Sequence, residues 1–326
     1  MKRRKFVLAS GALAALTAAR LRAQTAQVPR RIGWLGSTTA QGGAALLDAF
    51  KAKLKDLGYV EGRDIAFDLR WLDGRVEGAA ALARELLALK PAVVVTGGST
   101  PVAALKKETS TVPIVFAGTG GPVEQGFVQS LSRPGGNITG VTVRTEVNLK
   151  LLDIVRETLP KARRIALLEH AGDPHAKSSS EAFQQAATAL HYELGVVQVK
   201  QAEDLGRAFA QATQRKAEAV LVPTFALFAV HAQKVAELAI QARLPLFGAF
   251  QIHAEKGALV SYNSDALENY RRAAVLVDKI LKGANPGELA VEQPDRFRLL
   301  INLRTARALG ITIPQALLVR ADEVIE

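Results

Sequence analysis

The chain has 326 residues, 48% of them hydrophobic and 22% charged, and it contains no cysteine. At roughly 150 residues per domain that is two domains' worth of chain, each able to bury a core. Lack of cysteine excludes disulfides, thiolate nucleophiles, Cys-ligated zinc, iron–sulfur clusters and a lipid on an N-terminal cysteine. The formal charge of +11 is uneven: Lys2, Arg3, Arg4, Lys5, Arg20 and Arg22 sit in a 23-residue stretch without an acid, and the remainder holds 36 basic against 31 acidic residues. Such a small surplus describes a solvated surface and predicts no nucleic-acid partner.

Residues 1–23 read as a signal peptide. A basic start leads into the uncharged run Phe6–Ala19, 14 residues long, and then to Leu21-Arg22-Ala23. That run suits a leader and falls short of the roughly 20 residues a membrane span needs. Cleavage is predicted after Ala23. The pair Arg3-Arg4 followed by Lys5-Phe6 allows twin-arginine as well as Sec export. No later apolar run is long enough to span, so a soluble periplasmic protein is expected.

Beyond the leader, short β-branched runs alternate with segments of helical period. Strands are predicted at 31–35, 64–70, 92–96, 113–117, 138–143, 164–169, 194–199, 219–222, 245–247 and 258–262. This alternation favours an α/β fold with parallel sheets covered by helices. Leu47, Phe50, Leu54 and Leu57 form one helical stripe that Gly58 terminates. After Tyr262, Asp265 and Glu268 have capping-box spacing ahead of the stripe Leu267, Tyr270, Ala274, Val277, Leu281, with Gly283 as the stop. The turn-rich segment Ser132–Asn137 marks a boundary after which the pattern restarts at Arg164, so two similar lobes in tandem are predicted.

In open parallel sheets ligands sit beyond the carboxyl ends of strands, against helix N-termini. The residues there are Gly36-Ser37-Thr38-Thr39, Gly97-Gly98-Ser99-Thr100-Pro101 and Gly118-Thr119-Gly120-Gly121-Pro122. Glycine admits close approach and hydroxyls add directed hydrogen bonds, a combination suited to a carboxylate. The second half offers Glu169-His170-Ala171-Gly172-Asp173, Pro223-Thr224-Phe225 and Gly248-Ala249-Phe250. Phe225 or Phe250 could cover an apolar ligand body, and Asp173 or Glu169 could neutralise an ammonium. Candidate ligand-binding residues from position alone are thus Ser37, Thr38, Gly98, Ser99, Thr100, Gly118, Thr119, His170, Asp173, Thr224, Phe225 and Ala249.

Catalytic and cofactor signatures are missing. The Gly97–Pro101 stretch lacks the last glycine of a nucleophile elbow, no phosphate-binding Gly-x-x-x-x-Gly-Lys motif occurs, and Gly118-x-Gly120 lacks the third glycine of a dinucleotide turn. His170, Asp173 and His175 supply too few anchored ligands for a metal. No enzyme activity, no metal and no cofactor are predicted.

The motif order resembles the ABC-transporter substrate-binding protein family of the tryptophan/tyrosine transport type. The residues that carry this resemblance are the RRKF leader, Leu57-Gly58-Tyr59-Val60-Glu61-Gly62, Thr96–Pro101, Pro113–Phe116, Ser132–Val141, Ile301–Gly310 and Ala321–Ile325. It implies a type I periplasmic-binding-protein fold, two Rossmann-like lobes joined by a three-crossing hinge. Carried onto this chain, one lobe would span 30–141 plus 263–286 and the other 142–262 plus 287–326. The resemblance also implies that Ser99, Ala117 and Thr119 stand where a ligand carboxylate is held, that a small, carboxylated molecule is trapped by clamshell closure, and that an ABC permease in the inner membrane receives it. Docking on a membrane receptor, as a ligand-sensing subunit, is the alternative. Gly121-Pro122-Val123 and His170–Pro174 depart from the family's Asp-Pro-Val and Asn-Pro-x-Asn-Pro, which leaves amino acid and other carboxylates both open.

Overall fold

A computed structural model describes residues 28–143, 145–173 and 176–326, and the side chains of 145–148 are not described. The leader therefore lies outside the described residues. The first sheet is built from β1 (Arg30–Gly36), β2 (Ile65–Trp71), β3 (Val93–Thr96), β4 (Ile114–Gly120) and β5 (Ile138–Val143), in the order β2-β1-β3-β4-β5. Every pairing in it is parallel. Connecting parallel neighbours takes crossovers, and α1 (Ala40–Asp56), α2 (Ala79–Ala88) and α3 (Ser99–Glu108) supply them.

Strand side chains alternate between two packed faces, which explains why these strands read as continuous apolar runs. Val93 and Val95 join Trp34, Phe50, Leu54 and Val277 on one face, while Val94 joins Leu35, Leu86 and Phe116 on the other. Thr39 caps α1 by accepting from the Gly42 N–H at 3.0 Å.

The second sheet contains β6 (Arg164–His170), β7 (Glu193–Val199), β8 (Ala219–Val222), β9 (Leu246–Gly248), β10 (Val260–Ser264), β11 (Phe297–Asn302) and β12 (Glu323–Ile325), in the order β12-β11-β10-β9-β8-β6-β7. Helices α4 (Thr145–Thr158), α5 (Ala176–Ala189), α6 (Leu205–Gln214), α7 (Ala226–Val230), α8 (Ala232–Gln241) and α9 (Gln251–Glu255) belong to this half of the chain. Ile165 and Leu167 pack to one face, Ala166 and Leu168 to the other.

Ten predicted strands are present within two residues of their expected bounds, except that β4 runs three residues further, to Gly120, whereas β11 and β12 were not predicted. The sheet is also not wholly parallel, because β10 and β11 pair antiparallel. That reversal follows from the route of the chain. It leaves β10, forms α10 (Ala266–Leu281) against the first lobe's Trp34 and Phe50, and returns to the second sheet in β11.

Three crossings join the lobes: β5 to α4, β10 to α10, and the segment before β11. Two are stitched together, since the Asp265 N–H donates to the Arg296 carbonyl at 3.2 Å. Asp265 does cap α10 by accepting from the Glu268 N–H at 3.2 Å. Its own N–H is thus committed to the hinge, and Glu268 instead pairs with Arg271 and Arg272, so one half of the expected capping box is replaced. Leu289 and Val291 pack into the first lobe's clusters and Glu292 exchanges hydrogen bonds with β5, beyond the expected limit at 286.

Candidate functional site

The carboxyl ends of β1, β3 and β4 face those of β6, β8 and β9 across a cleft of about 770 Å³ between the lobes. Helices α1, α3, α5 and α10 all begin on it, through Gln41 and Gly42, Ser99 and Thr100, Ala176, and Ala266 and Leu267. Each start turns the positive end of a helix dipole toward the cleft, which favours an anion.

Twelve of the thirteen predicted residues line it: Ser37, Thr38, Gly98, Ser99, Thr100, Ala117 and Gly118 from one lobe, His170, Asp173, Thr224, Phe225 and Ala249 from the other. Thr119 is the correction. Its side chain is fully buried, its Oγ1 meets no partner among the described residues, and its carbonyl accepts from the Thr142 hydroxyl at 2.8 Å. The cause is a register shift between Ala117 and Thr119, with Gly118 at φ +76°, which sets Gly118 and Gly120 toward the cleft and Thr119 behind it.

Glycine at 97 is set by crowding. A Cβ there would lie 2.4 Å from the Tyr270 hydroxyl and 2.8 Å from the Ala117 carbonyl oxygen. Tyr270 in turn stacks on Trp34 at 5.1 Å, and Trp34 meets Trp71 at 6.0 Å. Burial pushes the Tyr270 phenol well above its ordinary value, so it stays neutral. Asn269, next in line, donates to the Ser264 hydroxyl at 3.0 Å.

His170 is a wall and not a hydrogen-bonding group for a ligand. The Gly172 N–H donates to Nδ1 at 3.0 Å, which therefore carries no proton; Nε2 then holds the proton and donates to the Lys200 carbonyl at 3.0 Å. Desolvation lowers its pKa, consistent with a neutral ring. That ring stacks on Phe225 at 3.9 Å and 15°. With both nitrogens occupied it has no lone pair for a metal, and its expected partner His175 lies outside the described residues. At His170 the departure of this loop from the family pattern thus adds ring surface and no charge.

Phe250 is backed the same way. Its N–H donates to His253 Nδ1 at 3.3 Å, and His253 Nε2 donates to the Phe228 carbonyl at 3.3 Å. Only glycine fits beneath this ring, as a Cβ at Gly248 would approach Nδ1 to 2.3 Å.

Gln125, Gln251, Asn269, Tyr270 and Arg298 were missed by the sequence reading; all but Gln125 line the cleft. Arg298 brings a cation, held by Glu323 at 2.9 Å and reaching Gln251 Oε1 at 3.4 Å. Its strand was not predicted, so nothing flagged it. Asn269 and Tyr270 could have been found by applying the strand-end rule to β10 and the helix after it.

The lobes also touch beside the cleft. A Cβ at Gly74, in the loop after β2, would meet Val230 Cγ2 at 3.1 Å and Leu227 Cα at 3.2 Å, and Val76 packs on the second lobe's cluster containing Phe225 and Leu227. Val76→Asn should therefore tax only the closed arrangement. Burying an unpaired amide costs about 1–3 kcal/mol, so ligand affinity should fall roughly tenfold by calorimetry. The thermal melting of the ligand-free protein should hold, and unchanged affinity would show that this contact does not bias closure.

Known proteins resemble the chain over most of its length. A conserved domain protein from Vibrio cholerae superposes with a TM-score of 0.85 at 29% identity, covering 90% of this chain and 99% of that one. An ABC domain in complex with L-Trp from Streptococcus pneumonia gives 0.85 at 22% identity, covering 91% and 100%. A tyrosine-binding protein of Clostridioides difficile is 24% identical over 262 residues, 80% of this chain and 75% of its own length. The sequence model of ABC transporter substrate binding proteins matches residues 41–325, and the chain belongs to that family, whose two-lobed α/β architecture captures solutes between the lobes.

Proposed function

We propose that the protein is the periplasmic receptor of an ABC importer and that it traps a small carboxylate-bearing molecule, with an aromatic α-amino acid as the first class to test. The observation that carries this reading is the convergence of four helix N-termini and the Ser99 hydroxyl on a cleft walled opposite by Phe225 and Phe250. Small-molecule sites typically occupy about 300–1,000 Å³, and the 770 Å³ here fits an amino acid with room for water.

In this reading Ser37, Thr38, Gly98, Ser99 and Thr100 receive the carboxylate, while Glu169 or Asp173 meets the ammonium. Phe225 and Phe250 cover the apolar body. The names of the relatives, one tyrosine-binding and one holding L-Trp, support the amino-acid class. Ligand contacts to both walls would favour the closed arrangement over the open one, and capture needs no covalent step. The protein is read as a binder and not an enzyme, and an inner-membrane ABC permease as its partner. Its lobes would be 30–143 plus 265–292 and 145–264 plus 293–326, which moves the expected limits at 141 and 286 outward. The leader at 1–23 supports export, and N-terminal sequencing of exported protein tests it by a start at Gln24.

Two measurements test the ligand reading. Mass spectrometry of small molecules released from the purified, unfolded protein should find a carboxylate. Ser99→Ala should weaken binding of L-tyrosine or L-tryptophan by about 1–3 kcal/mol while leaving the ligand-free melting temperature alone. Equal affinity in wild type and variant would discard Ser99 as an anchor.

A further inference from the structure

Gln125 lies in the loop that follows β4 and is only partly exposed. Its Nε2 is 2.6 Å from the Gly120 carbonyl oxygen and 2.9 Å from Ser99 Oγ. A carbonyl can only accept, so the amide must present its nitrogen to Gly120 and not its oxygen. The same nitrogen then donates to Ser99 Oγ. A hydroxyl that accepts in this way keeps its proton to give, beside one remaining lone pair, and Ser99 lines the cleft.

Gln125 Oε1 bears the cost of this orientation. It is buried and has no hydrogen-bond partner among the described residues. Leaving a buried acceptor unpaired costs free energy, yet turning the amide over would set oxygen against the Gly120 oxygen. The strained choice is therefore the one that keeps Ser99 a donor.

We propose that Gln125 is a positioning residue that biases the hydrogen-bond polarity of the cleft, freeing the Ser99 proton for the ligand so that an acceptor such as a carboxylate is favoured there over an amide N–H. This rests on the reading that Ser99 touches the ligand, and it adds the residue that selects the ligand's chemistry. Gln125→Glu reverses the polarity, since a carboxylate would take the Ser99 proton and leave only lone pairs toward the cleft. Gln125→Met removes the donor at similar volume and releases the hydroxyl rotor.

The test is calorimetric binding of L-tyrosine, L-tryptophan and benzoate, each against its carboxamide, to wild type, Gln125→Glu, Gln125→Met and Ser99→Ala. The readout is the acid-to-amide affinity ratio, which a merely structural defect would leave alone because both ligands would weaken together. The ratio should fall roughly fivefold or more in both Gln125 variants, and further in Gln125→Glu, as expected for loss of one charge-assisted hydrogen bond. A ratio unchanged in both Gln125 variants but lowered in Ser99→Ala overturns the role of Gln125 and leaves the ligand reading intact. If none of the three acids binds wild type, the ligand reading and this assignment fall together.

Discussion

Gly97→Val is expected to abolish measurable ligand capture while leaving the second lobe folded. A side chain at this position starts with a Cβ 2.4 Å from the Tyr270 hydroxyl and 2.8 Å from the Ala117 carbonyl oxygen. Tyr270 cannot swing aside, because its ring is stacked on the buried Trp34, and the Ala117 oxygen belongs to a strand of the sheet. The loop carrying Gly98 and Ser99 must shift instead. Overpacking of this kind costs about 1–3 kcal/mol of stability. Losing two charge-assisted hydrogen bonds at about 1.5–3 kcal/mol each weakens binding by at least roughly a hundredfold.

Gly97→Ala should be milder, and Tyr270→Phe combined with it should recover part of the loss by clearing the nearer of the two contacts. Titration followed by tryptophan emission is a suitable assay, as Trp34 and Trp71, the two tryptophans of the chain, both lie behind this wall. Wild-type affinity in Gly97→Val would mean that the loop after β3 does not hold the ligand.

The sequence made this wall legible and hid what supports it, for one reason. Ser37, Gly98 and Gly118 sit directly after apolar runs buried on both faces, so a reader who finds the strands finds these loops. Gln125 acts from the next turn, and Tyr270 comes from a helix that starts only at Ala266. In the sequence Tyr270 reads only as one apolar member of an amphipathic stripe, and it does pack there against Trp34. Its second duty, placing a hydroxyl against Gly97, depends on a crossing of the hinge that no local pattern encodes. Thr119 was misread for the opposite reason: position after a strand was right, but one bulge turned its side chain inward. β12 escaped because three residues are too few for a period of two to register.

Stability should fall on acidification below about pH 6.5, and His253 is the principal cause. Its imidazole is completely buried, and desolvation pushes its pKa down to about 4 from an ordinary 6.5, against a smaller opposing pull from the Phe228 carbonyl. Between those two values the unfolded chain binds a proton that the folded protein refuses, so unfolding takes up protons and stability rises with pH. At about 1.4 kcal/mol per pH unit for one proton, going from pH 6.5 to 4 removes on the order of 3 kcal/mol. His170 and His231 are shifted in the same direction by the same cause and add to the slope. The groups facing His253 are neutral backbone, the Phe250 N–H on Nδ1 and the Phe228 carbonyl on Nε2, so no nearby charge offsets the penalty. Urea unfolding at pH 7.5 and at pH 4.5 should differ accordingly. In His253→Gln the dependence should flatten by about one proton's worth even though the variant starts less stable, and an unaltered slope would remove His253 from the account. Since the same ring holds Phe250 against the cleft and stays neutral in the folded protein down to about pH 4, ligand affinity should hold over most of that interval, decline only as the pH nears 4, and decline less in Phe250→Ala.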